Sequence, residues 1–198
     1  MRVIKKIKTP QRFIKIYPLE NLFCSRRSIE SRMSLIADVT KEIGLNYFFD
    51  RNKNDLVISY RILNVDGKLR DREVFKLGAF IDSIHKKGLI HGDIHLRNIL
   101  FQDRKLALVD WEPCFLQKVK LKTIIKCNSR SIALEDRRKK KITKLSDRKG
   151  YSLILCDYLN IKYSQVPNLE KDLQNLNCEE IFIQLLKLKY ELQGGIQY

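Results

Sequence analysis

The stretch HGDIHLRNILFQDRKLALVDWEP, residues 91–113, holds His91, Asp93, His95, Asn98 and Asp110. These side-chain types bind cations and move protons. Asp93 and Asn98 lie five positions apart, after a helical pattern and before a short apolar run. Asp110 ends the next such run, LALVD. If NILFQ and LALVD pair as a hairpin, Asn98 and Asp110 flank the same end of it. Two oxygen ligands there suit a magnesium ion, which keeps waters and takes its other ligands from phosphates. Asp93 is then placed to orient a hydroxyl and accept its proton. Positioning, charge neutralisation by a metal and a base are what phosphoryl transfer needs. The rival is a zinc site from His91, Asp93 and His95, for which no fourth ligand is evident.

The flanking elements must position these groups. RVIKKIK and RFIKIY alternate apolar and charged residues and read as two strands around the turn TPQ. From Ser25 to Ile43 the period becomes helical, with Ile29, Met33, Ile36 and Ile43 on one face and Gly44 as a stop. LNYFFD and DLVISYRIL read as strands around RNKN. A second helix is expected over Asp71 to Lys87, burying Val74, Leu77, Ile81 and Ile84 and ending at Gly88. The segment 112–146 reads as long and polar. A third helix follows over Asp147 to Leu159, then one or two amphipathic helices after Pro167. Strands with one helix thus precede a mainly helical half. We expect one domain over 1–198, with a small lobe at 1–66, a larger one at 67–198 and a boundary near 64–70. A cleft between lobes is a common nucleotide site.

Composition narrows the setting. In 198 residues, 44% are hydrophobic, enough for one packed core. No apolar run approaches the roughly 20 residues of a membrane span. The basic start MRVIKKIKTPQRFIKIYP interleaves lysines with apolar residues and lacks the apolar core of a signal peptide. The expected location is the cytoplasm, with non-classical export as an effector the alternative. Five cysteines, odd in number and without a CxxC pair, make neither a disulfide framework nor a zinc site. The 39 Lys+Arg against 23 Asp+Glu give a net charge of +16, which favours an acidic protein, an anionic surface or nucleic acid as partner. The basic clusters KVKLK and DRRKKKITK lack the aromatic interleaving of a single-strand groove. Each is either a docking surface or a solvated face.

HGDIHLRN resembles the catalytic loop of the protein kinase superfamily, and LVDWE its metal-binding segment. The HGDxHxxN…DWE pattern is close to that of aminoglycoside, choline and lipopolysaccharide-core kinases and of atypical bacterial kinases. Downstream, Ala133-Leu134-Glu135 resembles the family's APE, and Ser146-Asp147 its serine-aspartate pair before GYSLILCDYL. The resemblance covers residues 3–163. It implies an α+β, two-lobed protein-kinase-like fold that uses ATP and Mg2+. It makes Asp93 the base, and Asn98 and Asp110 the metal-holding residues. By the same resemblance Lys15 in FIKIY is the phosphate-binding lysine and Glu30 its partner on the next helix. His91 packs under the metal-binding segment, and Asp147 braces the catalytic loop. His95 either contacts phosphate or substrate or is a polar loop residue.

The departures are informative. No glycine precedes Gly44, so the glycine-rich loop is missing, and one strand precedes that of Lys15. The N-lobe therefore reads as truncated and the helical C-lobe as shortened. Gly92 stands where the family has an arginine, which disfavours switching by phosphorylation at Thr123, Ser129 or Ser131. The reading is an ATP- and Mg-dependent phosphotransferase, a serine/threonine protein kinase acting on an acidic protein substrate. The alternatives are a small-molecule or lipopolysaccharide-core sugar kinase and a non-catalytic pseudokinase acting as a binding module.

Overall fold

The computed structural model describes residues 5–21, 25–41, 46–50, 52–61, 71–102, 105–111, 131–139 and 141–194. Strands β1 (Lys5–Lys8) and β2 (Arg12–Pro18) form a hairpin. Thr9 closes its turn, its Oγ1 donating to Arg12 O at 3.0 Å and accepting from Arg12 N at 2.9 Å. β2 also pairs with β4 (Asp55–Arg61), which pairs with β3 (Asn46–Asp50). The sheet is four-stranded and antiparallel, in the order β1-β2-β4-β3. Phe13, Lys15 and Tyr17 lie opposite Tyr60, Ile58 and Leu56. Directly opposed residues share a face. This face is the inner one, because Lys15, Tyr17, Leu56 and Ile58 are buried. The alternation that sets Lys15 among apolar residues therefore turns its ammonium inward.

Helix α1 (Arg26–Val39) starts at Ser25, whose Oγ accepts from Ser28 N, and buries Ile29, Met33 and Ile36. It ends earlier than its apolar period suggests. The Thr40 hydroxyl donates to Ile36 O at 2.6 Å, and the Thr40 N–H bonds the same carbonyl. A side chain that takes a helix carbonyl competes with the next helical bond. Ile43 and Gly44, the expected end and stop, lie outside the described residues, as does the expected lobe boundary.

Helix α2 (Asp71–Lys86) buries Val74, Leu77, Ile81 and Ile84 completely. Gly88, at φ 75°, ends it, and Leu89 N bonds Ile84 O at 3.0 Å. This is the left-handed cap that glycine favours. β5 (Ile99–Gln102) and β6 (Lys105–Leu108) form a separate hairpin. A short helix, α3 (Leu134–Lys139), lies inside the segment read as long and polar. α4 (Lys144–Leu159) begins three residues earlier than expected, because Thr143 Oγ1 caps it by accepting from Leu145 N. α5 (Leu169–Asn175) and α6 (Cys178–Leu192) complete the helical half.

α4 packs against α2, α5 and α6. One apolar cluster runs from Tyr17 and Ile29 through α2 and β6 to Leu185 of α6. The architecture is α+β, a small antiparallel sheet with one helix set on a helical layer. Cys156 and Cys178 are buried and free, whereas Cys24, Cys114 and Cys127 lie outside the described residues. No helix among the described residues is long and apolar enough to cross a membrane.

Candidate active site

The loop 91–98 runs between α2 and β5, and its backbone is held from below by α4. Asp147, fully buried, accepts from His91 N at 2.8 Å and from Gly92 N at 2.6 Å, one on each carboxylate oxygen. His85 Nε2 lies 2.9 Å from Asp147 Oδ2. Gly92 has φ 81°, a left-handed conformation that an L side chain would strain. His91 accepts from Asp93 N–H through Nδ1 at 3.2 Å, so its Nε2 carries the proton given to Val109 O at 2.8 Å. Its ring meets Trp111 edge-on, with centroids 4.7 Å apart. Both ring nitrogens are engaged, so His91 is no zinc ligand. It ties the catalytic loop to the strand that delivers Asp110.

Asp93 is held from two sides. Asn98 Nδ2 donates to its backbone O at 3.0 Å and to Oδ2 at 3.1 Å. His95 Nε2 lies 3.4 Å from the same Oδ2. His95 is about one-third exposed, on the open side of the loop. Asn98 is buried, and Val109 N donates to its backbone O at 2.9 Å. That bond sets the end of the β5–β6 hairpin, where Asn98 enters and Asp110 leaves.

Asp110 meets the sheet across the cleft. Lys15 Nζ, nearly fully buried, lies 2.5 Å from Asp110 Oδ1, and the Tyr60 hydroxyl donates to the same oxygen at 3.4 Å. Asp110 has φ 65°, a conformation uncommon outside glycine and asparagine that clusters at functional sites. The Trp111 indole N–H donates to Leu108 O at 2.8 Å and anchors the turn that aims Asp110.

The expected Lys15–Glu30 pair does not form in this structure. Glu30 Oε1 accepts from Arg26 Nε at 2.9 Å, one turn earlier on α1. Arg26 is fixed in turn by the Phe49 ring, 4.8 Å from its guanidinium carbon. An arginine held on an aromatic face at i−4 is a strong competitor for a half-exposed glutamate.

The donors present fit a hard cation. The Asn98 Nδ2 is engaged by Asp93, which leaves its amide oxygen for a metal. The Asp110 carboxylate is one-third exposed. Two such oxygens, with phosphate oxygens and water, are what magnesium takes. Among the described residues no group of three or more His, Cys, Asp and Glu forms a closed metal cage.

Two further residues hold the site and were missed from sequence. Asp136, buried on α3, accepts from Thr143 N and Thr143 Oγ1, each at 2.8 Å, and from Ser146 Oγ at 2.5 Å. It locks α3 to the start of α4, one residue before Asp147. The neighbouring Glu135 pairs with Lys139 on the surface at 2.5 Å. The second is Gly150, where α4 presses on the catalytic loop. A helix-start carboxylate near Thr and Ser was the available signal for Asp136; a lone helical glycine carries none.

Comparison with known proteins agrees with this geometry. Residues 48–117, which include the loop and Asp110, match the APH phosphotransferase enzyme family. The fold is similar to the crystal structure of a mutant PknI kinase domain from Mycobacterium tuberculosis. That match has a TM-score of 0.50 at 14% identity and covers 92% of this chain and 88% of that one. The segment that carries the loop and Asp110 thus resembles a phosphotransferase family, and the fold is similar to that of a protein kinase domain.

Proposed function

We propose that the chain is an ATP- and Mg2+-dependent protein kinase acting on serine or threonine hydroxyls. The supporting observation is the Asp93 carboxylate, fixed by Asn98 at the end of the hairpin from which Asp110 reaches Lys15 of the sheet. In this reading Asp93 accepts the proton of the substrate hydroxyl as its oxygen attacks the γ-phosphorus. The bond from the γ-phosphorus to the β–γ bridging oxygen breaks, leaving ADP and a phosphoester. Lys15 supplies positive charge to the phosphates. Asn98 and Asp110 would hold magnesium, which would supply neutralising charge to the phosphates. Asp147 and His91 keep the loop in register, and His95 sits beside the base on the substrate side. The location assigned is the cytoplasm.

A small-molecule or lipopolysaccharide-core sugar hydroxyl as acceptor is the second reading, favoured by the HGDIH loop and the DWE segment. Labelled ATP with the purified chain tests both, given a protein fraction in one arm and a small-molecule fraction in the other. Label in serine or threonine of a protein supports the first reading, and label only in small molecules replaces it with the second. Asp93→Asn and Asp110→Asn should each cut turnover by about 100-fold or more while leaving the protein folded. Wild-type turnover in folded Asp110→Asn would refute the assignment.

A further inference from the structure

Part of the positive charge lines a cleft in the helical half. Between α3 and α5 lies an open cleft of about 500 Å3, with Leu134 and Leu145 among its walls and Arg138, Lys171 and Gln174 around it. The carboxylates in the wall are already answered. Glu135 pairs with Lys139, and Glu170 pairs with the buried Lys149 and accepts from Tyr163 OH and Leu134 N. Arg138 and Lys171 are exposed and face the cleft from its two helices, and neither side chain has a carboxylate or hydrogen-bond partner among the described residues. Lys141 and Lys144, at the turn into α4, are likewise exposed, and their side chains are unpaired among the described residues. Leu134 is 45% exposed at the rim. The cleft thus offers two cations on opposite walls, an apolar spot and an amide.

The walls are fixed in advance. Glu170 ties α5 to α4 through Lys149 and to the start of α3 through Leu134 N. Asp136 ties α3 to α4, and Asp147 of α4 holds the catalytic loop. Pre-ordered walls lower the entropy cost of binding. A segment seated here is therefore held at a set distance from Asp93.

We propose that this cleft docks an acidic segment of the protein substrate, with an apolar side chain on Leu134 and carboxylates on Arg138 and Lys171. The proposal rests on the protein-kinase reading. The chemistry favours a peptide over nucleic acid. Among the described residues no aromatic side chain lines the cleft to stack a base. Glu135 and Glu170 in the wall would repel a continuous phosphate backbone, whereas spaced carboxylates can avoid them. Gln174 suits the N–H and C=O of a peptide.

The test is a binding titration that needs no turnover, so it fails or succeeds independently of kinase activity. A short fluorescein-labelled peptide with glutamates flanking a leucine, and a matched glutamine peptide, are titrated with the full chain by anisotropy. Wild type should bind the acidic peptide and not the neutral one. The Arg138→Glu/Lys171→Glu variant should lose about tenfold or more in affinity, as expected for removed charge pairs. Arg138→Gln/Lys171→Gln, with a smaller loss, guards against misfolding, which circular dichroism also checks. Lys53→Glu/Lys187→Glu, the same charge change on exposed lysines elsewhere, should bind as wild type does. No binding by wild type, or equal loss in the remote variant, would overturn the proposal. So would tighter binding of a single-stranded oligonucleotide or an anionic phospholipid vesicle that the cleft variant abolishes.

Discussion

A Cβ on Gly150 would sit 2.4 Å from the carbonyl oxygen of Ile94 in the catalytic loop. Real side chains do not tolerate that distance, and the obstacle is backbone, which cannot swing aside. Glycine inside a helix costs about 1 kcal/mol relative to alanine. Here it allows α4 to touch the loop that carries Asp93. Gly150→Ala should therefore destabilise the fold by about 1–3 kcal/mol, as overpacking does, although alanine is the better helix former. It should also lower kcat more than it raises the KM for ATP, because the loop moves while Lys15 does not. Urea unfolding and steady-state kinetics check both. A more stable Gly150→Ala with wild-type kcat would show that the contact is slack.

Asp147→Asn isolates the clamp. The two backbone N–H groups of His91 and Gly92 sit on different oxygens of Asp147. Asparagine keeps one acceptor and turns an NH2 toward the other donor. Hydrogen bonds to a charged group contribute about 1.5–3 kcal/mol each. The variant should lose about that much stability and at least tenfold in kcat, with nucleotide affinity changed little. Calorimetric ATP titration of the folded variant separates the two effects. A large loss of ATP affinity with kcat preserved would place Asp147 in the nucleotide site.

The groups set by chemistry at fixed spacing could be read from the sequence. Asp93, Asn98 and Asp110 surround a short hairpin, and a hairpin brings its flanks together whatever the rest of the chain does. Lys15 was legible only through the resemblance of FIKIY to the family's lysine strand, since alternation alone leaves it one more lysine of a basic strand. The partner of Glu30 was not, since it depends on how α1 is rotated and on Arg26 seated over Phe49, a residue of another element. The early end of α1 turns on one hydroxyl, that of Thr40, against an apolar period that continues to Ile43. Asp136 looked like one more charge in a basic run. Its burial is decided by Thr143 and Ser146, which fold back over it from across a loop.

Tyr60 has a role that no motif marks. It sits on the inner face of β4, and its hydroxyl shares Asp110 Oδ1 with Lys15. At 3.4 Å the bond is weak, so the effect of Tyr60→Phe should be modest. We expect a two- to fivefold rise in the metal concentration for half-maximal activity, about 1 kcal/mol or less. Trp111, the single tryptophan, is adjacent to Asp110. Its fluorescence on titration with Mn2+ reads the same shift without turnover. Lys15→Met, which removes an ammonium at 2.5 Å from that oxygen, should abolish activity. Equal effects of the two variants would mean that Tyr60 acts by packing and not through Asp110.

The buried thiols and phenols are expected to lower stability at alkaline pH. Burial pushes the Cys156 thiol from its ordinary value of 9.0 to about 11, with nearby Asp157 adding to the rise. Cys178 is raised further, by burial and then by Asp82, and the Tyr151 and Tyr163 hydroxyls are raised mainly by burial. Each group keeps its proton when folded and loses it sooner when unfolded. Their stabilising contribution is therefore complete below the unfolded value and falls as pH rises through the folded one. For Cys156 that window runs from about pH 9 to 11. Partial loss of lysine charge in the same range relieves the repulsion of a +16 chain, which acts in the opposite direction. A net fall in the urea midpoint above pH 9 thus points to the buried groups. Cys156→Ala should flatten that slope while lowering stability at pH 7, where the thiol is neutral and serves only as packing. A midpoint that holds steady or rises between pH 9 and 10 in wild type, or a slope unchanged in Cys156→Ala, would show that this thiol ionises as readily in the folded chain as in the unfolded one.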